Sequence, residues 1–260
     1  MVTGVRYERS GAVSTITMDD GKVNALSTDM LQELNAALDQ AEVDDAIVVL
    51  TGRDGVFSAG FDLAVLAGDG GAAIPMLRAG FELAHRVLSS RQPVIVACSG
   101  HAIAMGAFLL LSADYRIGVA GAAHKYTANE VAIGLTMPHA AIAICRPALT
   151  PAAFRRAMEL AAVFTPEAAL DAGFVDDLVQ PGMLLTRAQE HALQLGELNV
   201  EAHAATKRRT RRAALIELRD AIETDAADFR VTTPHADGDA RSEKDGAVAD
   251  AAPPGSGRPR

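Results

Sequence analysis

An α/β fold is expected from three features of the chain. Short apolar runs recur along it, stretches of helical periodicity follow them, and capping or small residues mark the changeovers. In order, Val13 to Met18 reads as a strand, and a helix capped near Ser27 follows it. Ile47 to Thr51 is a second strand, Ala72 to about Leu88 a helix, and Val94 to Cys98 a third strand. A small-residue loop and a short apolar helix come next, then the strand Tyr115 to Val119. Thr150-Pro151 and Thr165-Pro166 each pair a capping residue with a proline suited to a first helical turn, and Gly173 is placed to end the second of these helices. From Gly182 to about Arg230 the pattern is helical throughout. The tail 232–260 is rich in Ala, Gly, Asp and Pro and almost lacks large apolar residues, so disorder is expected there.

Composition narrows the function. The 260 residues, 49% of them hydrophobic, suffice for one substantial core. A net charge of −9 disfavours nonspecific nucleic-acid binding. Cys98 and Cys145 are the only cysteines and stand far apart, so neither a metal nor a disulfide is expected, and a reducing cytoplasmic setting is the default. The N-terminus shows no apolar signal region, and the run from Ala102 to Leu111 is too short to span a bilayer, so no membrane partner is expected.

The stretch Val94 to Asp114 carries the most chemistry. It passes from a buried strand through Cys-Ser-Gly-His-Ala-Ile-Ala into the helix beginning near Met105. The first N–H groups of a helix lack internal acceptors and favour an oxygen gaining negative charge. Val56-Phe57-Ser58-Ala59-Gly60-Phe61-Asp62-Leu63 supplies a second turn, whose Ala-Gly pair lets main chain approach a ligand closely. Two such N–H groups, if they converge, form an oxyanion hole.

With these two segments, Lys22-Val23-Asn24-Ala25-Leu26, Asn129-Glu130-Val131-x-x-Gly134 and Thr165-Pro166-Glu167-x-Ala169-x-x-x-Gly173, taken in this order and spacing from about Val5 to Arg230, the chain resembles the crotonase superfamily of enoyl-CoA hydratases and isomerases. The resemblance implies a spiral of ββα repeats over residues 1–181, with a helical region at 182–231 that drives trimerisation into a homotrimer or dimer of trimers. It implies an acyl-CoA substrate and no separate cofactor, since coenzyme A enters as part of the thioester. The oxyanion donors would be the main-chain N–H groups of Phe61 and Met105. The thioester and its CoA would lie along Lys22, Val23, Ala25, Ala59, Gly60, Phe61, Asp62, Leu63 and Met105, with the ring of Phe108 lining the pocket on the same helix face as Met105.

One departure from the family bears on the reaction. Its hydratases hold a water between two glutamates; Glu130 matches the later one, but Phe108 stands where the helix would carry the other. A phenyl ring neither takes a proton nor orients water, and a general acid or base is worth ~10²–10⁴ in rate. Double-bond isomerisation needs only one base, so a single glutamate favours it. Apolar neighbours Val131, Ala132 and Ile133 are expected to raise the pKa of Glu130. A weak hydratase using His139 or water in place of the missing glutamate, and a non-catalytic acyl-CoA-binding protein, are the alternatives. His101 reads as a packing or loop-bonding residue, Asp62 and Asp114 as turn-fixing acids, and the run Lys207 to Arg212 as a solvated helix face, with contact to CoA phosphates as the minority view.

Overall fold

A computed structural model describes residues 4–68 and 71–232. Two antiparallel strands open the chain, β1 (Val5–Ser10) and β2 (Val13–Met18), followed by α1 (Thr28–Val43). Then come β3 (Ile47–Thr51), β4 (Gly55–Ser58), α2 (Leu63–Leu66), α3 (Ala73–Ser89), β5 (Val94–Ala97), β6 (Gly100–Ile103), α4 (Met105–Leu111), β7 (Tyr115–Val119) and β8 (Tyr126–Thr127). A 3-10 turn at Val131–Ile133 leads to α5 (His139–Ala148), α6 (Pro151–Leu160), α7 (Pro166–Ala172), β9 (Asp177–Val179), α8 (Leu184–Leu195), α9 (Val200–Thr210) and α10 (Arg212–Thr232). The tail expected to be disordered lies outside the described residues, apart from Thr232 at the end of α10.

The strands fall into two sheets, ordered β1-β2-β3-β5-β7-β9 and β4-β6-β8. Each pass of the chain lays one strand in the large sheet and the next in the small one: β3 then β4, β5 then β6, β7 then β8. Neighbouring passes pair in parallel, Val48 with Val94 and Ile95 with Tyr115 in one sheet, Gly55 with Gly100 and Ala102 with Tyr126 in the other. This is the expected α/β spiral, and its repeat is one of geometry rather than of sequence. The small sheet was missed: Gly55–Ser58 and Gly100–Ile103 read as loop because strands of four residues, two of them starting on glycine, show no usable alternation.

Alternate residues of the large sheet feed two cores. Val48, Leu50, Val94 and Val96 join the main core with α1, α3 and α4, whereas Ile47, Val49, Ile95 and Ala97 face Leu184, Ala188 and Ala192 of α8. Burial on both faces explains why these strands read as continuous apolar runs. The expected caps form at Ser27, whose side chain accepts the Met30 N–H, and at Thr165, which accepts that of Ala168. Thr150 precedes α6 without a side-chain cap bond, and Gly173 ends α7 with φ +95°.

The basic run departs from the expected solvated face. Lys207 is buried, and with the half-buried Arg211 it grips Asp114 at distances of 2.6 and 3.0 Å. Asp114 was expected to fix its own turn, but its side chain instead accepts the Val94 N–H, tying the head of β7 to that of β5, and anchors Lys207 and Arg211. Spacing along a helix cannot reveal an acid supplied from 93 residues away. Arg208 and Arg209 are exposed. The last helix, α10, folds back over α5 and α3. Among the described residues no helix is long and apolar enough to cross a membrane.

Candidate active site

Two turns meet where the small sheet ends. The first begins with Asn24, whose side-chain amide donates to the carbonyls of Met18 and Phe57 from a buried position. Ala59 N–H donates to Val23 O at 3.0 Å and Leu26 N–H to Gly60 O at 2.8 Å, so the segment 22–26 lies against the 59–61 turn. Ser58 Oγ braces both, donating to Asn24 O and accepting the Gly60 N–H. Asp20 gathers the N–H groups of Lys22, Asn24 and Ala25. Burial works against its charge, yet these three donors hold its carboxyl below the ordinary carboxylate value. The segment matched to CoA binding is thus a stiff ledge. Lys22, Val23 and Leu63 are exposed on it, and Arg53 Nε is tied to Lys22 O.

The second turn is Ile103-Ala104-Met105. Ala104 takes φ +51° and ψ −124°, an unusual conformation for a residue with a Cβ, and the sharp turn starts α4 at Met105. The two turns touch through Gly60, whose φ is +91°. A Cβ there would stand 2.9 Å from Ala104 Cβ and 3.2 Å from Met105 N. Neither the Phe61 N–H nor the Met105 N–H has an acceptor among the described residues. Asp62 accepts the Ala64 N–H and caps α2, the turn-fixing role expected of it.

Glu130 reaches the same neighbourhood through the small sheet. Ala104 N–H donates to Thr127 O, so the chain leaves β8 beside the start of α4, three residues before Glu130. Its main-chain carbonyl accepts from Ile133 and Leu135, and Gly134 closes the 3-10 turn in a left-handed conformation. This tight turn exposes Val131 and Ile133 while the Glu130 side chain goes inward, 8% exposed, with Oε2 buried and unpartnered. Burial raises its pKa from 4.5 to about 7, against a smaller opposing effect of its own N–H. The expectation that apolar surroundings raise this pKa holds, but the cause is the inward turn of the side chain. The three residues expected to surround it, Val131, Ala132 and Ile133, are themselves exposed.

Phe108 is 1% exposed and stacks on Phe81 with ring centroids 6.3 Å apart. Phe81 in turn receives Phe61 edge-on at 5.9 Å. Phe108 is thus part of an aromatic row with Phe81 and Phe61. His139 starts α5; its N–H donates to Asp225 of α10, and its exposed imidazole has Nε2 3.7 Å from Asp228. The structure therefore associates His139 with α10 rather than with Glu130. His101 Nδ1 accepts the Lys125 N–H, the loop-bonding role expected of it.

Sequence reading missed two residues of this region. Asp225 takes both the His139 and Ala140 N–H groups, an N-terminal cap supplied from another helix that no local signal marks. Cys145, buried on α5, lies close enough for Glu130 to raise its thiol pKa, after burial, which is the larger cause.

The sequence and the fold, taken as a whole, resemble known proteins. Residues 8–244 match the family model described as enoyl-CoA hydratase/isomerase. The chain is 28% identical over 233 residues to human mitochondrial enoyl-CoA delta isomerase 1, covering 86% of this chain and 76% of that protein. Its fold matches a Mycobacterium tuberculosis structure described as an enoyl-CoA isomerase with a TM-score of 0.85 and 50% identity, over 88% of this chain and 100% of the other. A second M. tuberculosis structure, described as a probable enoyl-CoA hydratase, matches with the same TM-score and identity over 88% and 97%. The match across most of its length, on a spiral that brings the two turns together, makes this chain a member of the enoyl-CoA hydratase/isomerase family, within the crotonase superfamily.

Proposed function

We propose that this enzyme of the crotonase superfamily is an enoyl-CoA isomerase that moves a double bond from the 3 to the 2 position of an acyl-CoA thioester. The thioester carbonyl lies between the N–H groups of Phe61 and Met105. Glu130, in its carboxylate form, takes a proton from C2. The electron pair spreads into the thioester, and the oxyanion that forms is held by the two donors; losing one such donor costs ~3 kcal/mol of transition-state stabilisation. The protonated Glu130 then returns the proton to C4, leaving the double bond between C2 and C3. The CoA portion follows the ledge of Lys22, Val23, Ala25, Ala59 and Leu63, with Gly60 and Asp62 shaping the turn.

The observation that carries this reading is the pairing of one buried carboxyl, its Oε2 without a partner among the described residues, with an apolar ring at the second position. Glu130 Oε2 has no hydrogen-bond partner, and Phe108 is committed to Phe81. A base with a pKa of about 7 is matched to shuttling a proton near neutrality. Phe108 leaves no second carboxylate to orient water, which is why isomerisation is preferred to hydration. His139 as a substitute proton carrier would have to leave Asp228. Assembly as a homotrimer, or a dimer of trimers, is part of the same proposal. The exposed Val131, Ile133 and Leu135 beside Glu130 are surface that a neighbouring copy would cover.

The test is to incubate the protein with 3-enoyl-CoA and with 2-enoyl-CoA and to compare wild type with Glu130→Gln. Fast isomerisation of the first, little hydration of the second, and loss of isomerisation in the variant are expected. Hydration dominating in wild type would favour the hydratase alternative. Tight CoA binding without turnover of either thioester would favour an acyl-CoA-binding protein.

A further inference from the structure

Gly80 lies near the middle of α3, a helix of 17 residues, with no left-handed φ to require glycine. Glycine is among the poorest residues for a helix interior. The reason for it here is steric. A Cβ on Gly80 would stand 2.5 Å from Cζ of Phe61, in still closer conflict with its Cε1, and 3.6 Å from Cγ of Met105. The bare helix surface at Gly80 is therefore a seat on which the side chains of Phe61 and Met105 converge. Met105 is fully buried there. The Phe61 ring also meets the next residue of α3, Phe81, in an edge contact at 5.9 Å, and Phe81 is stacked on Phe108.

We propose that Gly80 is a positioning residue for the oxyanion site, an inference that rests on the role given above to Phe61 and Met105. With its ring held against Gly80 and Phe81, Phe61 has a restricted Cα–Cβ direction, which limits the orientation open to the Gly60–Phe61 peptide. Met105 is fixed from the same surface. One missing methyl group on α3 thus sets the separation of two main-chain donors on different turns. A Cβ at position 80 would push on the ring, and displacement of a reacting group by a fraction of an ångström is enough to lower the rate of a pre-organised site.

The test uses Gly80→Ala in the full chain, alone and combined with Phe61→Leu, which keeps the main-chain donor and removes the atoms in conflict. Three quantities are read: steady-state isomerisation of 3-enoyl-CoA, thermal unfolding, and the red shift in absorbance of a bound 2,4-dienoyl-CoA, which reports polarisation of its thioester carbonyl. Gly80→Ala is expected to lower kcat at least about tenfold, with KM changed less than about twofold. It should also shrink the red shift without lowering Tm, since alanine favours the helix. Adding Phe61→Leu should restore much of both kcat and the shift. A wild-type kcat and red shift in Gly80→Ala would overturn the inference, as would losses accompanied by a lower Tm that the second substitution does not recover. If wild type polarises the dienoyl thioester but does not isomerise, the isomerase reading fails and Gly80 is judged on the shift alone. If wild type produces no red shift, both fail.

Discussion

Lys207 Nζ on α9 lies 2.6 Å from Oδ2 of Asp114 at the head of β7, and both side chains are shielded from solvent. Arg211 closes on the other carboxylate oxygen, and Val94 donates its N–H to the same Asp114 oxygen as Lys207. Asp114→Ala would leave two cations facing each other in a buried site, and removing one partner of such a pair costs about 3–5 kcal/mol. Lys207→Met is expected to cost less, because Arg211 still neutralises the acid. Urea denaturation of the two variants checks this order, and equal losses would contradict it.

Glu130→Gln is expected to lower isomerase turnover by at least ~10²–10⁴, the usual worth of a positioned base. In wild type, kcat/KM should rise with pH through about 7, since the carboxylate is the active form and burial sets its pKa there. A profile flat from acid to alkaline pH would remove Glu130 from the rate-determining proton transfer.

The same raised pKa makes a stability prediction. Between 4.5 and about 7 the folded chain binds a proton at Glu130 that the unfolded chain has released. The contribution of this group therefore falls as pH rises through that window. Above it the penalty is on the order of 3 kcal/mol. Glu130→Gln should be the more stable protein at pH 8, with the gap closing toward pH 4, as read by denaturation at a series of pH values.

Phe108→Glu should create measurable hydration of 2-enoyl-CoA by supplying the second carboxylate. It should also destabilise the fold by about 3 kcal/mol or more, because the ring it removes is buried against Phe81. Hydration that stays absent in a folded variant would show that the two-carboxylate geometry is not recovered at this position.

Gly60→Ala combines strain at φ +91° with a Cβ 2.9 Å from that of Ala104. A turnover loss of about 10²-fold is expected, as for a reacting group misplaced by about 1 Å. Single-turnover kinetics with 3-enoyl-CoA checks it.

Four of the six large-sheet strands and the capped helices were legible in the sequence because their signals are local, whereas β1 and β9, at the sheet's edges, were not read as strands. Ile47–Thr51 and Val94–Ala97 are apolar on both faces, Ser27 and Thr165 sit before helical periodicity, and Gly173 stands where a left-handed cap is needed. The order of the Phe-Ser-Ala-Gly, Ser-Gly-His-Ala and Asn-Glu-Val segments likewise pointed to the family before any coordinates.

What lay beyond the sequence depends on contacts between distant segments. The small sheet exists because the spiral stacks its very short strands, not because any of them has strong strand character. The basic run turned inward because Asp114 waits for it, and His139 is drawn to α10 by Asp225 and Asp228. The sequence by itself determined which strands are buried on both faces, where the capped helices begin, and that a ring stands at Phe108 and a carboxyl at Glu130. Only the tertiary structure decided that this carboxyl turns inward with its Oε2 unpartnered, and that two turns 45 residues apart abut at Gly60 and Met105, the N–H groups of Phe61 and Met105 having no acceptor among the described residues. Desolvation and main-chain approach are properties of the packed chain, and no local pattern encodes them.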